Sequence, residues 1–149
     1  VFCIHKSVVE CLKFMCEDLN ISHAVINGET VVKKRGPIVA KFQAGEIDVL
    51  ICSIQAAGVG LTMTRSNNVI LAESSWVPGL NQQAIDRCHR IGQTKKVYVD
   101  RVFCNSSIDQ FIQQCEKGKK KMHKLLLKHL KEKKAMKGSI KCFLNATKT

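Results

Sequence analysis

The sequence has no CxxC pair and no HExxH, and its five histidines do not fall at Cys-His spacings typical of zinc ligands. A structural metal site is therefore not expected. No signal-peptide pattern and no apolar run of membrane-spanning length is present, so we expect a single soluble intracellular domain. The cysteines fall mostly within apolar runs and are interpreted as reduced core residues. They are Cys3, Cys11, Cys16, Cys52, Cys88, Cys104, Cys115 and Cys142.

Two phosphate-handling motifs are also missing. The chain contains no GxxxxGK[ST] loop and no acidic DExH box. No segment is therefore equipped to cradle the β- and γ-phosphates of a nucleotide or to hold Mg²⁺. This absence excludes a complete nucleotide-hydrolysing site built by the chain alone.

Acidic residues are almost absent from the C-terminal part of the chain. Residues 1–116 contain 12 Lys/Arg against 11 Asp/Glu, a net charge of +1, whereas residues 117–149 contain 12 Lys against one Glu, a net charge of +11. With 45% hydrophobic residues the chain has enough apolar material for one independent core. We therefore expect a folded domain over residues 1–116 and a basic helical or disordered tail over residues 117–149.

The start of this tail carries a helical pattern. Met122, Leu125, Leu126 and Leu130 form an apolar stripe that predicts a helix to about Leu130, docked on the domain by that stripe. Phosphate contact by its lysines and a solvated or disordered extension are two interpretations left open. The lysines considered for DNA contact are Lys119, Lys120 and Lys121.

Strand and helix patterns alternate before the tail. Strands are predicted at 1–5, 23–27, 47–52, 69–71 and 97–103, the third and fourth being near-continuous apolar runs typical of a sheet covered on both faces. A capping box at Ser7–Glu10 predicts a helix to about Leu19 with Leu12, Met15, Cys16 and Leu19 on its inner face. Thr30 is a candidate cap for the next helix, Gly36–Pro37 predicts a kink or a later start there, and Val39 and Phe42 are expected to pack inward. Pro78 suits the first turn of a further helix, and Ser107 is expected to begin the last one.

This succession predicts an α/β fold with a parallel sheet sandwiched by helices and a C-terminal helical extension. Ligands of such folds bind at the carboxyl ends of the strands. Gly58 and Gly60 follow one strand and leave backbone amides open to an anion. An isolated GxG is more often an ordinary turn.

The segment QAIDRCHRIGQ at 83–93 holds two arginines, Arg87 and Arg90, spaced three residues apart. On a helix they share one face, with Asp86 and Gln83 positioned to hold neighbouring polar groups. Paired guanidinium groups match the charge that spreads over a phosphoryl group in transfer, which favours a role as arginine fingers. For a lone RxxR the common alternative is a solvated surface helix.

Five segments in order resemble the motifs of the Swi/Snf-type superfamily 2 DNA helicases. They are VFCIHK at 1–6, AVINGET at 24–30, SIQAAGVGLTM at 53–63, ESSWVP at 73–78 and QAIDRCHRIGQ at 83–93. The resemblance extends from residue 1 to about Cys115. Ala57, Thr62 and Val77 depart from the usual chromatin-remodeller pattern, and the form SIQAAGxGLT is closer to the annealing helicases and some phage or viral relatives.

The resemblance implies the second RecA-like lobe of a two-lobe motor, a P-loop NTPase fold that lacks the Walker A loop. In such motors ATP with Mg²⁺ lies between the lobes, and the first lobe supplies the lysine and the Mg²⁺ carboxylates. This lobe supplies the arginines and part of a track for double-stranded or forked DNA, as used in DNA repair and chromatin remodelling. The isolated chain is then expected to be an inactive monomer, located in the nucleus of a eukaryote and otherwise in the cytoplasm or a host cell.

The residues that the resemblance assigns fall into two groups. Arg87 and Arg90 are the catalytic arginines, and the cleft around them is supported by Gly58, Gly60, Gln83, Asp86, Gly92 and Gln93. The DNA-facing residues are His5, Lys6, Gly28, Ser53 and Trp76. For His5 the alternative is a core-edge histidine. For Trp76 the alternatives are stacking on the partner lobe and a packing anchor.

Two other functional classes remain open. One is a lobe that binds nucleic acid or a partner without a catalytic role, against which the intact Arg87, Arg90 and Gln93 argue. The other is an RNA helicase lobe, because the scaffold is shared. The HRIGQ ending, in place of the HRxGR common in RNA helicases, favours DNA.

Overall fold

The computed structural model describes residues 1–57, 60–105 and 108–146, with side chains described as far as Lys131 except that of Ala57. Its strands are β1 (Phe2–Cys3), β2 (His23–Ile26), β3 (Val49–Ser53), β4 (Asn68–Leu71) and β5 (Tyr98–Arg101). Its helices are α1 (Lys6–Asp18), α2 (Val32–Ala44), α3 (Ile54–Ala57), α4 (Pro78–Ile85) and α5 (Ile108–Ala146).

The five strands form one parallel sheet in the order β2-β3-β1-β4-β5. Phe2 of β1 lies between Cys52 of β3 and Leu71 of β4, so the shortest strand occupies the centre of the sheet. The predicted parallel α/β fold is confirmed. All five carboxyl ends meet at one edge, where the segments after β1, β2 and β3 lie side by side.

Apolar side chains are buried on both faces of the sheet. One cluster joins the sheet to α2, α3 and α4, with Phe42, Ile54 and Ile85 as helical members. The other joins it to α1 through Val9 and Cys16. A fully buried Ile or Leu side chain contributes about 1.5–3 kcal/mol, so these two layers hold the sheet rigidly beneath its carboxyl edge.

The start and inner face of α1 differ from the prediction. The helix begins at Lys6 after His5, without a side-chain cap, so the predicted capping box is wrong. Cys16 is buried, but Met15 and Leu19 are 51% and 63% exposed. The face toward the sheet is formed by Val9 and Cys16, with the predicted Leu12 packed against them.

Helix α2 begins before the predicted position and runs through Pro37. A start near Pro37 is therefore wrong. Thr30 does not cap the helix, since its hydroxyl donates to the side chain of Asn27 in the preceding turn. Phe42 is buried and Val39 packs against the same core, as predicted.

The last helix is longer than predicted. Its backbone continues to Ala146, beyond Leu130, and Ser107, its predicted start, lies outside the described residues. The stripe side chains Met122, Leu125, Leu126 and Leu130 are 56–60% exposed, so the predicted docking by this stripe is wrong. The helix is attached to the domain near its beginning, where Glu116 pairs with Arg101. The charge boundary at 116/117 falls within this continuous helix, and the division into two domains stays a prediction. Among residues with described positions, no helix has the length and apolarity to cross a membrane.

Where the structure describes them, the cysteines form no disulfide. Cys3, Cys16, Cys52 and Cys88 are buried, and burial raises the pKa of Cys3 to about 11 and that of Cys52 to about 12. The core interpretation is wrong for Cys11 and Cys104, which are exposed. Cys115 is half-buried, and the side chain of Cys142 lies outside the described residues.

Candidate functional site

The two candidate arginines lie in a turn that follows α4. The helix ends at Ile85 with Asp86 as its C-cap, so the predicted placement of Arg87 and Arg90 on one helical face is wrong. We call residues 87–93 the arginine turn. Cys88, within it, is 4% exposed and belongs to the hydrophobic core. Arg87 is half-buried and Arg90 is exposed.

Glycines shape both the arginine turn and the loop that faces it. Gly92 has φ +102° and Gly60 has φ +59°, in the left-handed region that residues with a side chain rarely adopt. Thr64 borders the position where a side chain at Gly92 would begin. Gly58, also predicted to support the cleft, lies outside the described residues.

The arginine turn is fastened to residues 60–66, which we call the glycine loop. The amide of Met63 donates to the carbonyl of Arg87 at 2.8 Å. Arg90 Nη1 donates to Thr62 Oγ1 at 3.1 Å. Thr62 departs from the asparagine usual in chromatin remodellers, and its hydroxyl holds the exposed arginine.

Gln93 makes the most extensive connection between the two segments. Its Nε2 lies 2.9 Å from the carbonyl oxygens of both Thr64 and Ser66, and 3.3 Å from that of Cys88. Gln93 was predicted to support the cleft, and the structure places it inside the joint. Gln83 is exposed, and Asp86 accepts a hydrogen bond from Gln82 at 2.8 Å, both on the solvent side of α4.

A second region lies at the carboxyl ends of β1, β2 and β3. A cavity of about 220 Å³, which we call the interface cavity, is lined by Lys6, Gly28 and Ser53 together with Asn27, Glu29 and Gln55. Three residues predicted to face DNA are therefore brought together. No heavy atom lies within 4 Å of where a side chain at Gly28 would begin, so a ligand can approach its backbone closely.

Lys6 is held at the rim of the interface cavity by Glu29. Their side chains are 2.6 Å apart and 67% and 70% exposed. The hydrogen bond from Lys6 to Glu29 raises the pKa of Lys6. An ion pair this exposed exchanges readily with solvent, so a phosphate can displace Glu29 from the ammonium group.

His5 is exposed and bound to Glu73, which follows β4. The His5 ring nitrogen Nδ1 lies 2.5 Å from one Glu73 oxygen, and the amides of Ile4 and His5 donate to the other at 2.7 and 2.9 Å. Partial burial opposes ionisation of Glu73, but the hydrogen bonds from the His5 ring and the two amides outweigh it and lower its pKa. The core-edge alternative for His5 is not what the structure shows, since the side chain is 70% exposed.

The loop that carries Trp76 is fixed from two sides. Asn81 is fully buried, donates to the carbonyl of Ser75 at 2.7 Å and accepts from its amide at 2.8 Å. Lys119 Nζ donates to the carbonyl of Trp76 at 3.0 Å and lies 5.8 Å from the ring centroid. The Trp76 side chain is 62% exposed, which excludes a buried packing anchor. Asn81 was not predicted from the sequence, because it belongs to none of the motif segments.

His5 and Trp76 line a larger cavity, which shares Ile4 and Gln55 with the interface cavity. Its volume is about 580 Å³, and it extends between the Trp76 loop and the start of α5. The remaining DNA-facing candidates lie beyond it on α5. Lys120 pairs with Glu116 at 2.8 Å, whereas Lys121 is exposed.

Arg35 was also missed by the sequence reasoning. Its guanidinium group is carried by the first turn of α2 and the residue is 8% exposed. The group donates to the carbonyls of Thr30 and Asn27, at 3.0 and 3.2 Å, and to that of Ala56 at 3.4 Å. Arg35 belongs to none of the five motif segments. It only follows one of them, AVINGET at 24–30, closely in the sequence.

The donor set defines which ligand groups this chain can hold. Guanidinium groups at Arg87 and Arg90 fit an anionic phosphoryl group. Among the residues that the structure describes, no cluster of three His, Cys, Asp or Glu side chains is arranged to hold a metal ion.

Comparison with known proteins agrees with this geometry. Residues 1–92 match the family described as "Helicase conserved C-terminal domain". A probable ATP-dependent helicase of Plasmodium falciparum is 34% identical over 121 residues, which cover 80% of this chain and 6% of that protein. The chromatin-remodeling ATPase INO80 of Mus musculus is 37% identical over 103 residues, which cover 68% of this chain and 7% of that protein. The chain thus spans a small part of these relatives.

A solved structure shows the same fold. The crystal structure of the C-terminal part of the Fun30 ATPase domain has a TM-score of 0.75 and 32% identity, over 77% of this chain and 37% of that chain. The predicted RecA-like fold is thereby confirmed, while the assignment to the annealing-helicase or viral branch stays a prediction. The chain belongs to the helicase conserved C-terminal domain family and is of the Swi/Snf type.

Proposed function

We propose that the chain is the second motor lobe of an ATP-dependent DNA translocase, with Arg87 and Arg90 directed at ATP bound between this lobe and a first RecA-like lobe. The observation that carries the proposal is the joint between the arginine turn and the glycine loop, made by Met63, Thr62 and Gln93. A turn held in this way presents its guanidinium groups with little reorganisation. Stabilisation of a phosphoryl-transfer transition state needs such fixed charges.

The first lobe completes the site. When bound, ATP with Mg²⁺ supplies the phosphoryl group that is transferred to water, and the phosphate loop and Mg²⁺ carboxylates belong to that lobe. In this chain Arg87 and Arg90 bind and orient the phosphoryl oxygens, while Gln93 and the glycine loop keep them in place. Because the chain lacks the remaining groups, it is inactive in isolation.

The interface cavity is the proposed start of the DNA track. Lys6 supplies a cation, and the open backbone at Gly28 and the hydroxyl of Ser53 lie on the same cavity. A phosphate of the DNA backbone fits this set of groups, since positioning contacts to nucleic acid go chiefly to phosphate oxygens. His5, Trp76 and Lys121 extend the track toward α5.

One segment connects the two regions. Ser53 ends β3 at the interface cavity and accepts the amide of Ala56 in the following helix, and Thr62 contacts Arg90 nine residues further along the chain. A change in DNA contact at Ser53 therefore has a short covalent route to the arginine turn. This route is how the lobe couples closure of the cleft to movement along DNA.

DNA is favoured over RNA by the HRIGQ ending of the arginine turn. Among the relatives, INO80 is named a chromatin-remodeling ATPase, which supports duplex DNA as the substrate and, in a eukaryote, a nuclear location.

The test is ATP-driven displacement of a third strand from a DNA triplex by the full-length protein, because a translocase removes that strand without separating the duplex. The expected result is displacement by the wild type and none by the Arg87→Ala/Arg90→Ala double variant. Lys95→Ala, which removes an exposed cation two residues beyond the arginine turn, is the control and retains displacement. Equal displacement by the double variant and the wild type contradicts the proposal.

A further inference from the structure

Arg35 connects two segments that border the interface cavity. Its Nε and Nη2 hold the carbonyls of Thr30 and Asn27, at the two ends of the turn that contains Gly28. Its Nη1 reaches the carbonyl of Ala56, in the short helix α3 that follows Ser53. The side chain therefore joins the turn after β2 to the helix after β3.

The turn at 27–30 also has bonds of its own. The side chain of Asn27 accepts from the amides of Glu29 and Thr30, at 3.0 and 3.1 Å. Its shape is thus set locally, but these bonds do not fix its distance from α3. Among the described side chains, Arg35 makes the hydrogen bond that spans this gap.

The chemistry of the three contacts is specific for arginine. The described acceptors of Arg35 are backbone carbonyls, and its planar group directs donors to all three from one rigid fork. A lysine keeps the charge but has one nitrogen, which cannot reach carbonyls on two separate segments in the same way. The residue is 8% exposed, so solvent does not readily replace these hydrogen bonds when the guanidinium group is removed.

We propose that Arg35 is a positioning residue for the nucleic-acid interface: by joining the Asn27–Thr30 turn to α3 it sets the width of the interface cavity and the placement of Gly28 relative to Ser53. The inference rests on the proposed function, because that function assigns the cavity to a DNA phosphate. Arg35 itself acts through the backbone and does not touch the ligand.

The test uses the full-length protein with Arg35→Lys, and Arg35→Gln as a second variant if the first unfolds. Hydrogen exchange, measured without DNA or ATP, reports the coupling. The rate of amide hydrogen exchange in the segments 27–30 and 54–57 is expected to rise about tenfold in both variants. This is the scale that removal of one hydrogen bond produces. The duplex DNA concentration for half-maximal ATPase stimulation is expected to rise about tenfold, with the KM for ATP within about twofold.

Arg101→Lys is the matched control. Arg101 also anchors two segments, but it lies on β5, at the opposite edge of the sheet from β2. The Arg101→Lys variant is expected to show unchanged amide exchange at 27–30 and an unchanged DNA concentration for half-maximal ATPase stimulation. A merely structural loss of stability would affect both variants alike and would contradict the positioning role.

The outcomes separate the two proposals. Unchanged exchange in either segment of a folded Arg35 variant overturns the coupling. Raised exchange together with an unchanged DNA half-saturation constant overturns the role in DNA binding. If DNA fails to stimulate the wild type, the proposed function fails, and the exchange measurement still decides whether Arg35 joins the two segments.

Discussion

Gln93 donates a 2.9 Å hydrogen bond to the carbonyl of Thr64, across 29 residues of sequence. With the bond to Ser66, this one side chain makes two of the hydrogen bonds that connect the glycine loop to the arginine turn. A glutamine amide suits this position because it is a double donor, and the acceptors are backbone carbonyls whose own positions are set by the fold. The two segments are therefore held together at this joint.

Gln93→Glu is expected to weaken the joint between the glycine loop and the arginine turn. A carboxylate cannot donate to the carbonyls of Thr64 and Ser66, so the free energy of unfolding should fall by about 1–3 kcal/mol and DNA-stimulated ATP hydrolysis by about tenfold or more. Denaturant unfolding and steady-state hydrolysis measure the two effects. Gln110→Glu, the same change at an exposed position of α5, is the control. If both variants behave alike, Gln93 has no special role in the joint.

Removing either arginine is expected to affect hydrolysis far more than binding. In the full-length protein, Arg90→Ala should reduce DNA-stimulated ATP hydrolysis by about 10³-fold or more and leave ATP affinity within a few fold, as for arginine fingers. Arg87→Ala should act similarly or somewhat less. Stopped-flow nucleotide binding and steady-state hydrolysis separate the two quantities, with Lys95→Ala as the charge control. Near-normal turnover in both single variants would contradict the assignment.

For the two arginines the sequence predicted the wrong local structure. Residues 83–93 have helical spacing, yet α4 ends at Ile85. The left-handed conformation of Gly92 is incompatible with a continued helix, and the bonds from Gln93 to a loop almost thirty residues away stabilise the turn. Such long-range bonds leave no local pattern, so a periodicity argument cannot detect them.

The sheet and its motif order were predictable, because near-continuous apolar strands and alternating helices restrict the topology strongly. The surface against which an amphipathic helix face packs was not predictable. Met122 and Leu125 do have the spacing of a docking face, but both are about 60% exposed. Arg35 and Asn81, in turn, are polar residues whose importance depends on burial, which no local signal revealed.

Glu73→Gln is expected to destabilise the end of β1. The carboxylate accepts the amides of Ile4 and His5 and contacts the His5 ring, and its pKa is lowered in the folded state. A lowered folded-state pKa means that this stabilisation is present above the ordinary pKa of about 4.5 and is lost as the pH falls through the folded-state value. The variant should lose about 1–3 kcal/mol at pH 7.

Chemical unfolding at a series of pH values checks this prediction. The difference in the free energy of unfolding between wild type and Glu73→Gln should shrink once the pH falls below about 4.5. Glu10→Gln, at an exposed position of α1, is the control and should show little difference at any pH. A difference for Glu73→Gln that stays constant throughout the acid range would show that ionisation of Glu73 is not involved.

The isolated chain of 149 residues is expected to hydrolyse ATP no faster than a buffer blank, with or without DNA. The reason is chemical: the sequence has no phosphate loop and no DExH box, so Arg87 and Arg90 have no bound phosphoryl group to act on. Phosphate release by a purified sample measures this. Addition of the first lobe as a separate polypeptide should restore weak activity, whereas robust hydrolysis by the chain alone would contradict the two-lobe architecture.

The lysines of α5 divide into two groups that make different predictions. Lys119 and Lys120 are engaged by the Trp76 carbonyl and by Glu116, so replacing them tests the attachment of the helix. Lys121, Lys124 and Lys131 are exposed. If the exposed group binds DNA phosphates, changing all three to Gln should weaken duplex binding equally for all sequences. The slope of log affinity against log salt should flatten by about 0.9 for each phosphate that the variant no longer neutralises.

Lys119 and Lys120 provide the comparison for the prediction that the exposed lysines bind DNA phosphates. Lys119→Gln/Lys120→Gln should lower the melting temperature, because Glu116 is 4% exposed and loses one of its two cations. The exposed triple variant should keep its melting temperature and its hydrolysis rate at saturating DNA, since the arginine turn and the glycine loop are untouched. Salt titrations of duplex binding decide the question. An unchanged affinity and an unchanged salt slope in the exposed triple variant would show that these lysines are a solvated face and do not bind phosphate.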